Sequence, residues 1–171
     1  REAGLCRCHK LCSGDEVMKF ARGDIWDWSE RGIPIVIPVN IGWNAKGHNI
    51  MGRGLARQAA QRYPVLPRFL GLKCTAAREM TPVVWWQQEH TSLLLFPVKP
   101  LNFERPWLSW QSDASLALIE RSTEQLSRLV AKHSLGMVAL PLVGCGNGKL
   151  QRSEVLPILE AHLGDDFTLV E

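Results

Sequence analysis

Two glycine-bearing stretches hold the residue types best suited to gripping phosphate. The first runs Asn40-Ile41-Gly42-Trp43-Asn44-Ala45-Lys46-Gly47-His48-Asn49-Ile50-Met51-Gly52-Arg53-Gly54-Leu55-Ala56. Gly52 and Gly54 stand where a helix is expected to begin. An anion there can approach bare backbone N–H groups and the positive end of the helix dipole. The second runs Pro141-Leu142-Val143-Gly144-Cys145-Gly146-Asn147-Gly148-Lys149-Leu150, with three glycines in five residues. It is not a Walker loop, because Val143 and Leu150 stand where that motif needs Gly and Ser or Thr. Nor is it the dinucleotide fingerprint, since its spacing is GxGxG and it comes late in the chain. Tight turning and close helix–sheet packing are the plainer uses of the same glycines.

Other reactive side chains are fewer. Lys99 follows the apolar run Leu93–Val98, and an amine there acts as a nucleophile only if desolvated enough to be partly neutral; a solvated or diphosphate-pairing lysine is the simpler reading. Cys145 precedes an expected helix, which would lower its pKa, but no histidine is spaced to serve it, so it reads as a small packing residue. Cys6, Cys8, His9 and Cys12 put four zinc-ligand types within seven residues. Structural zinc sites usually join two separated knuckles, so this packed arrangement is awkward and no metal is assigned. The seven tryptophans include Trp85-Trp86 and Trp107/Trp110, which read as core packing and loop anchors. Trp43, inside the first loop, is placed to cover a ligand.

The elements that must position these residues alternate. Strands are expected over Val17–Arg22, Pro34–Val39, Thr81–Gln88, Ser92–Val98, Met137–Leu142 and Phe167–Val170. The middle pair is joined by a turn at Glu89-His90. Helices are expected over Arg53–Tyr63, ended by Pro64, over Asp113–His133, capped by Ser112 or Asp113, and over Ser153–Leu163, capped by Ser153 with Pro157 in its first turn. Alternating strands and helices imply a mostly parallel sheet covered on both faces, which binds ligands at the carboxyl ends of its strands. Both glycine loops follow apolar strands and precede helices, so they belong at that edge.

Bulk properties set the limits. At 171 residues, 46% apolar and 22% charged, the chain fits one domain, residues 16–171, behind a tail or lead-in over residues 1–15. No run is long enough for a membrane helix, and no signal-peptide pattern is expected. The net charge of +3 is too small to argue for nucleic acid by itself. Five cysteines, an odd number, fit a reducing, cytoplasmic setting better than a disulfide framework.

The order strand-Gly23-Asp24-Ile25, strand-Val39-Asn40, Met51-Gly52-Arg53-Gly54-Leu55-Ala56, then Leu140-Pro141-Leu142-Val143-Gly144-Cys145-Gly146-Asn147-Gly148 resembles the macrodomain family. It is closest to the branch with "MGxGxA" and "LPxxGxG" loops, which includes phage and bacterial members and DNA-ADP-ribosyl hydrolases. The resemblance spans about residues 17–170. It implies a three-layer αβα fold around a mixed, mostly parallel sheet, and ADP-ribose or an ADP-ribosylated macromolecule as partner. No cofactor is implied, and nucleic acid only as a modified substrate. Asp24 would then accept from the adenine amino group, beside the Ile25 backbone, and Asn40 would lie near the distal ribose. Trp43 and Asn49 belong to the first loop; Ile50, Met51, Gly52, Arg53, Gly54 and Leu55 would wrap one side of the diphosphate and distal ribose. Val143, Gly144, Cys145, Gly146, Asn147 and Gly148 would wrap the other.

Lys99 matches the place where hydrolases of this branch present a lysine to the anomeric carbon. Those hydrolases carry an aspartate in the second loop, whereas this chain has Asn147-Gly148-Lys149. Asp113 or Glu104 can replace it only if folding brings one of them back to the site. The leading expectation is a hydrolase of an ADP-ribosyl linkage or of phosphorylated ADP-ribose, with Asn40 and loop backbone holding water and Lys99 assisting. The alternatives are a non-catalytic ADP-ribose reader and, last, a nucleic-acid module that uses the tryptophans.

Overall fold

The computed structural model describes residues 17–171. The lead-in over residues 1–15 and the cluster Cys6, Cys8, His9 and Cys12 lie outside the described residues. Six strands form one sheet: β1 (Lys19–Ala21), β2 (Ile35–Asn40), β3 (Val84–Gln88), β4 (Thr91–Lys99), β5 (Val138–Leu140) and β6 (Phe167–Val170), in the order β1-β6-β5-β2-β4-β3. All neighbours are parallel except β3, which forms an antiparallel hairpin with β4.

Alternation along the central strands divides the core into two halves. Val36, Leu94, Phe96, Val138, Leu140 and Leu169 face one side, against Ile119, Leu126 and Val130 of α4 (Leu116–His133) and Val155 and Leu159 of α5 (Arg152–His162). Ile35, Ile37, Val39, Leu93 and Leu95 face the other. They meet Ile25 and Trp26 of α1 (Ile25–Glu30), Ala59 of α2 (Gly54–Arg62), and Leu66, Leu70 and Cys74 of α3 (Leu66–Ala77). The result is the three-layer αβα arrangement around a mixed, mostly parallel sheet. Among the described residues no helix is long and apolar enough to cross a membrane.

Several boundaries differ from the sequence reading, each for a local reason. The α4 cap is Ser115, whose Oγ accepts from Leu118 N–H at 3.2 Å, rather than Ser112 or Asp113. The preceding residues are diverted, since Ala114 N–H bonds to the Gly148 carbonyl and Ser115 N–H to that of Val98. The α5 cap is Gln151, in a reciprocal box with Glu154, and not Ser153. Pro157 therefore lies beyond the first turn, where its missing N–H leaves the Ser153 carbonyl without its helical donor. Helices α1 and α3 have no counterpart in the sequence reading. Asp24 starts α1 by accepting from Trp26 N–H at 3.0 Å.

Candidate functional site

The strand register places the chemistry. Parallel strands β2 and β4 pair Val39 with Pro97 and then Asn40 with Lys99, so Val98 is skipped in a bulge. In unbroken pairing Asn40 would oppose Val98; the extra residue makes Lys99 its partner instead. The carbonyl of the skipped Val98 is taken by Ser115 N–H at 2.9 Å. Asn40 and Lys99 thus stand side by side at the carboxyl edge of the sheet, and both line a cavity of about 490 Å³.

The two glycine loops form opposite walls of that cavity. Ile50, Gly52, Arg53, Gly54 and Leu55 line it from the first loop; Gly144, Gly146, Asn147 and Gly148 line it from the second. Apolar surface from Pro38, Val98 and Leu142 completes the floor, with Trp110 at the Lys99 end. Gly144 has φ +76, a left-handed conformation that favours glycine. A Cβ on Gly148 would lie 2.4 Å from the Gly144 carbonyl oxygen and 2.7 Å from the Ala114 methyl, so no side chain fits there. Gly146 faces open space.

The first loop is tied down by two asparagines. Asn49 donates through Nδ2 to the main-chain oxygens of Asn40 and Gly42, both at 2.8 Å. Asn40 donates to the Ile50 carbonyl at 2.7 Å and accepts from Gly42 N–H at 3.0 Å. Both asparagines are buried. Asn40 therefore builds the loop as well as lining the cavity. Asn49 builds without lining it.

The charges gather at one end. Lys99 donates from Nζ to the Trp110 carbonyl at 2.7 Å. Burial holds its pKa below the ordinary lysine value; Asp113 opposes that shift, while Lys149 and Arg53 add to it. Asp113 reaches this neighbourhood from the α4 lead-in and pairs with Lys149 at 3.2 Å, both exposed. No Asp or Glu side chain lines the cavity among the described residues. Arg53 sits over the Trp110 ring, 5.0 Å from its centre.

The remaining sequence candidates lie elsewhere. Exposed Asp24 and buried Ile25 are outside the cavity, at the start of α1. Trp43 lines a separate groove with Pro106 and Trp107, under the Arg78 guanidinium. Met51 and Val143 are core residues. Cys145 is half-buried against the core, and burial raises its pKa, opposite to the lowering expected from its place before a helix. Glu120, Glu124 and His162 bring three possible metal donors together on α4 and α5, away from the cavity lining. Sequence reasoning missed Trp110 as a lining residue. Its signal was position, in the connection that leaves the carboxyl end of β4.

The chain is thus a three-layer α/β domain with two glycine-rich loops lining a cavity at the carboxyl edge of its sheet. Macrodomains are among the solved structures it matches. The Thermus aquaticus DarG macrodomain has a TM-score of 0.70 at 20% identity, over 90% of this chain and 96% of its own. For the Mycobacterium tuberculosis DarG macrodomain the values are 0.66, 22%, 90% and 97%. A Thermosipho africanus DarTG structure, in complex with ADP-ribose, gives 0.69 and 20% over 89% of this chain, which spans 41% of that longer protein. No family model and no curated protein matches the sequence. The chain has the macrodomain fold.

Proposed function

We infer that the cavity binds ADP-ribose or an ADP-ribosyl derivative, with the diphosphate between the two glycine loops, and that the chain hydrolyses an ADP-ribosyl linkage or a phosphorylated ADP-ribose. The observation that carries this reading is the pairing of Asn40 with Lys99 at one end of a glycine-walled cavity. Backbone N–H groups of the loops neutralise the diphosphate, and the distal ribose lies toward Asn40 and Lys99. A water held by Asn40 and loop backbone attacks the anomeric carbon. As the bond to the leaving group breaks, the Lys99 ammonium gives a proton to the departing oxygen, and the amine so formed takes up the proton that the attacking water sheds. The bound partner is then ADP-ribose itself or a modified macromolecule. We place the protein in the cytoplasm, where the free thiols Cys74 and Cys145 would persist.

One observation favours a second reading, a non-catalytic ADP-ribose reader. The cavity wall offers no carboxylate among the described residues, so a water would have to be activated without the usual general base. Incubation with ADP-ribosylated protein, ADP-ribosylated DNA and phosphorylated ADP-ribose separates the two. The hydrolase reading expects product release by the wild type, and a loss of at least about a hundredfold in Lys99→Ala with binding retained. Binding without release from any of these substrates leaves the reader.

A further inference from the structure

Trp110 belongs to none of the glycine motifs, yet two independent contacts tie it to the cationic groups of the cavity. Its carbonyl holds the Lys99 ammonium at 2.7 Å. Its ring carries the Arg53 guanidinium at 5.0 Å. Asn40, the strand partner of Lys99, lines the same cavity.

The segment that presents it is fixed from below. Trp110 lies in a 3₁₀ turn, Pro106–Gln111, whose Ser109 is fully buried and accepts through Oγ from Asn102 N–H at 2.9 Å. That turn presses on the first loop at Gly42, where a Cβ would lie 2.1 Å from the Pro106 carbonyl oxygen and 2.6 Å from Ser109 Cβ. The backbone that carries Trp110 is therefore held in place. Stacking of Arg53 on the ring further restricts its swing.

An aromatic face beside donors and acceptors is the arrangement that recognises a sugar. The hydroxyls find the polar groups, and the C–H face lies on the electron-rich ring. We propose that Trp110 is a specificity-determining residue that stacks on the distal ribose and sets the anomeric carbon against Lys99. The proposal rests on the ADP-ribose reading of the site, and it assigns the ribose wall to the connection after β4 instead of to either glycine loop.

The test compares ADP-ribose with ADP, which lacks the distal ribose, by calorimetry on wild type, Trp110→Ala and Trp110→Phe. The wild type should prefer ADP-ribose. Trp110→Ala should lose about tenfold more affinity for ADP-ribose than for ADP, and its retained ADP binding reports an intact fold. Trp110→Phe, which keeps an aromatic face, should recover most of the loss. Equal losses for both ligands, or no loss for either, overturn the role of Trp110. A wild type that binds neither ligand overturns the ADP-ribose reading itself, and the proposal with it.

Discussion

Asn40 and Lys99 are partners across the last rung of β2 and β4, reached only because the ladder skips Val98. The bulge is held from outside the sheet, since the Val98 carbonyl accepts from Ser115 N–H at the mouth of α4. The neighbouring Ala114 N–H bonds to the Gly148 carbonyl of the second loop. One short segment thus fixes the strand end that presents Lys99 and the glycine loop opposite it. The site is a property of these long-range ties more than of either loop.

Asn49 supplies the matching tie on the first loop. Asn49→Ala strips two main-chain carbonyls of their donor in a buried place, which should cost about 2–3 kcal/mol. Urea unfolding measures this cost. ADP-ribose affinity should fall with it, because the Asn40–Gly42 turn loses its anchor. Unchanged stability would show that the loop is held by something else.

The second loop allows stability and binding to be separated. Gly148→Ala meets backbone that cannot yield and should destabilise by about 1–3 kcal/mol. Gly146→Ala meets nothing within 4 Å, so its melting temperature should stay at the wild-type value. Its methyl lies on a residue that lines the cavity, and ADP-ribose binding should weaken. Thermal melts with calorimetry on both variants check the contrast, and identical behaviour of the two would contradict it.

Lys99 has a pH signature. Its folded pKa is lowered from 10.5, chiefly by burial, so between the lowered value and 10.5 the unfolded chain binds more protons than the folded one. The penalty for burying the ammonium is fully present below the folded pKa and is relieved as pH rises through that window. Wild type should therefore gain stability relative to Lys99→Met as pH rises through that window towards 10.5. Paired urea titrations along that range give the difference, and a flat or falling one would refute the lowered pKa.

Much of this architecture is legible in the chain. Continuous apolar runs mark β2, β4 and β5, because strands buried on both faces need them, and both glycine loops announce themselves by following such runs. Helix α3 is hidden by Pro67 and by Gly71, a glycine in mid-helix. Gly71 is needed there because a Cβ would lie 2.0 Å from the Gly47 carbonyl oxygen, a contact no local pattern reveals. The carboxylate of Asp24 also caps α1, a helix that the sequence pattern does not reveal. The cap of α4 is ambiguous among Ser112, Asp113 and Ser115 until the ties to Gly148 and Val98 are known. Trp110 reads as a loop anchor because Arg53, which it stacks on, lies far away in sequence. The order of motifs therefore reveals the clamp, while the residues at its reactive end depend on register and on distant contacts.

The central claim is that the two glycine loops hold the diphosphate of ADP-ribose. Calorimetric titration of the wild type and of Gly146→Val with ADP-ribose tests it most directly. The wild type should bind one-to-one in the micromolar range, about −7 to −8 kcal/mol, and Gly146→Val should lose at least about tenfold without a fall in melting temperature. No heat of binding at millimolar ADP-ribose, or equal affinity in the two proteins, would contradict it.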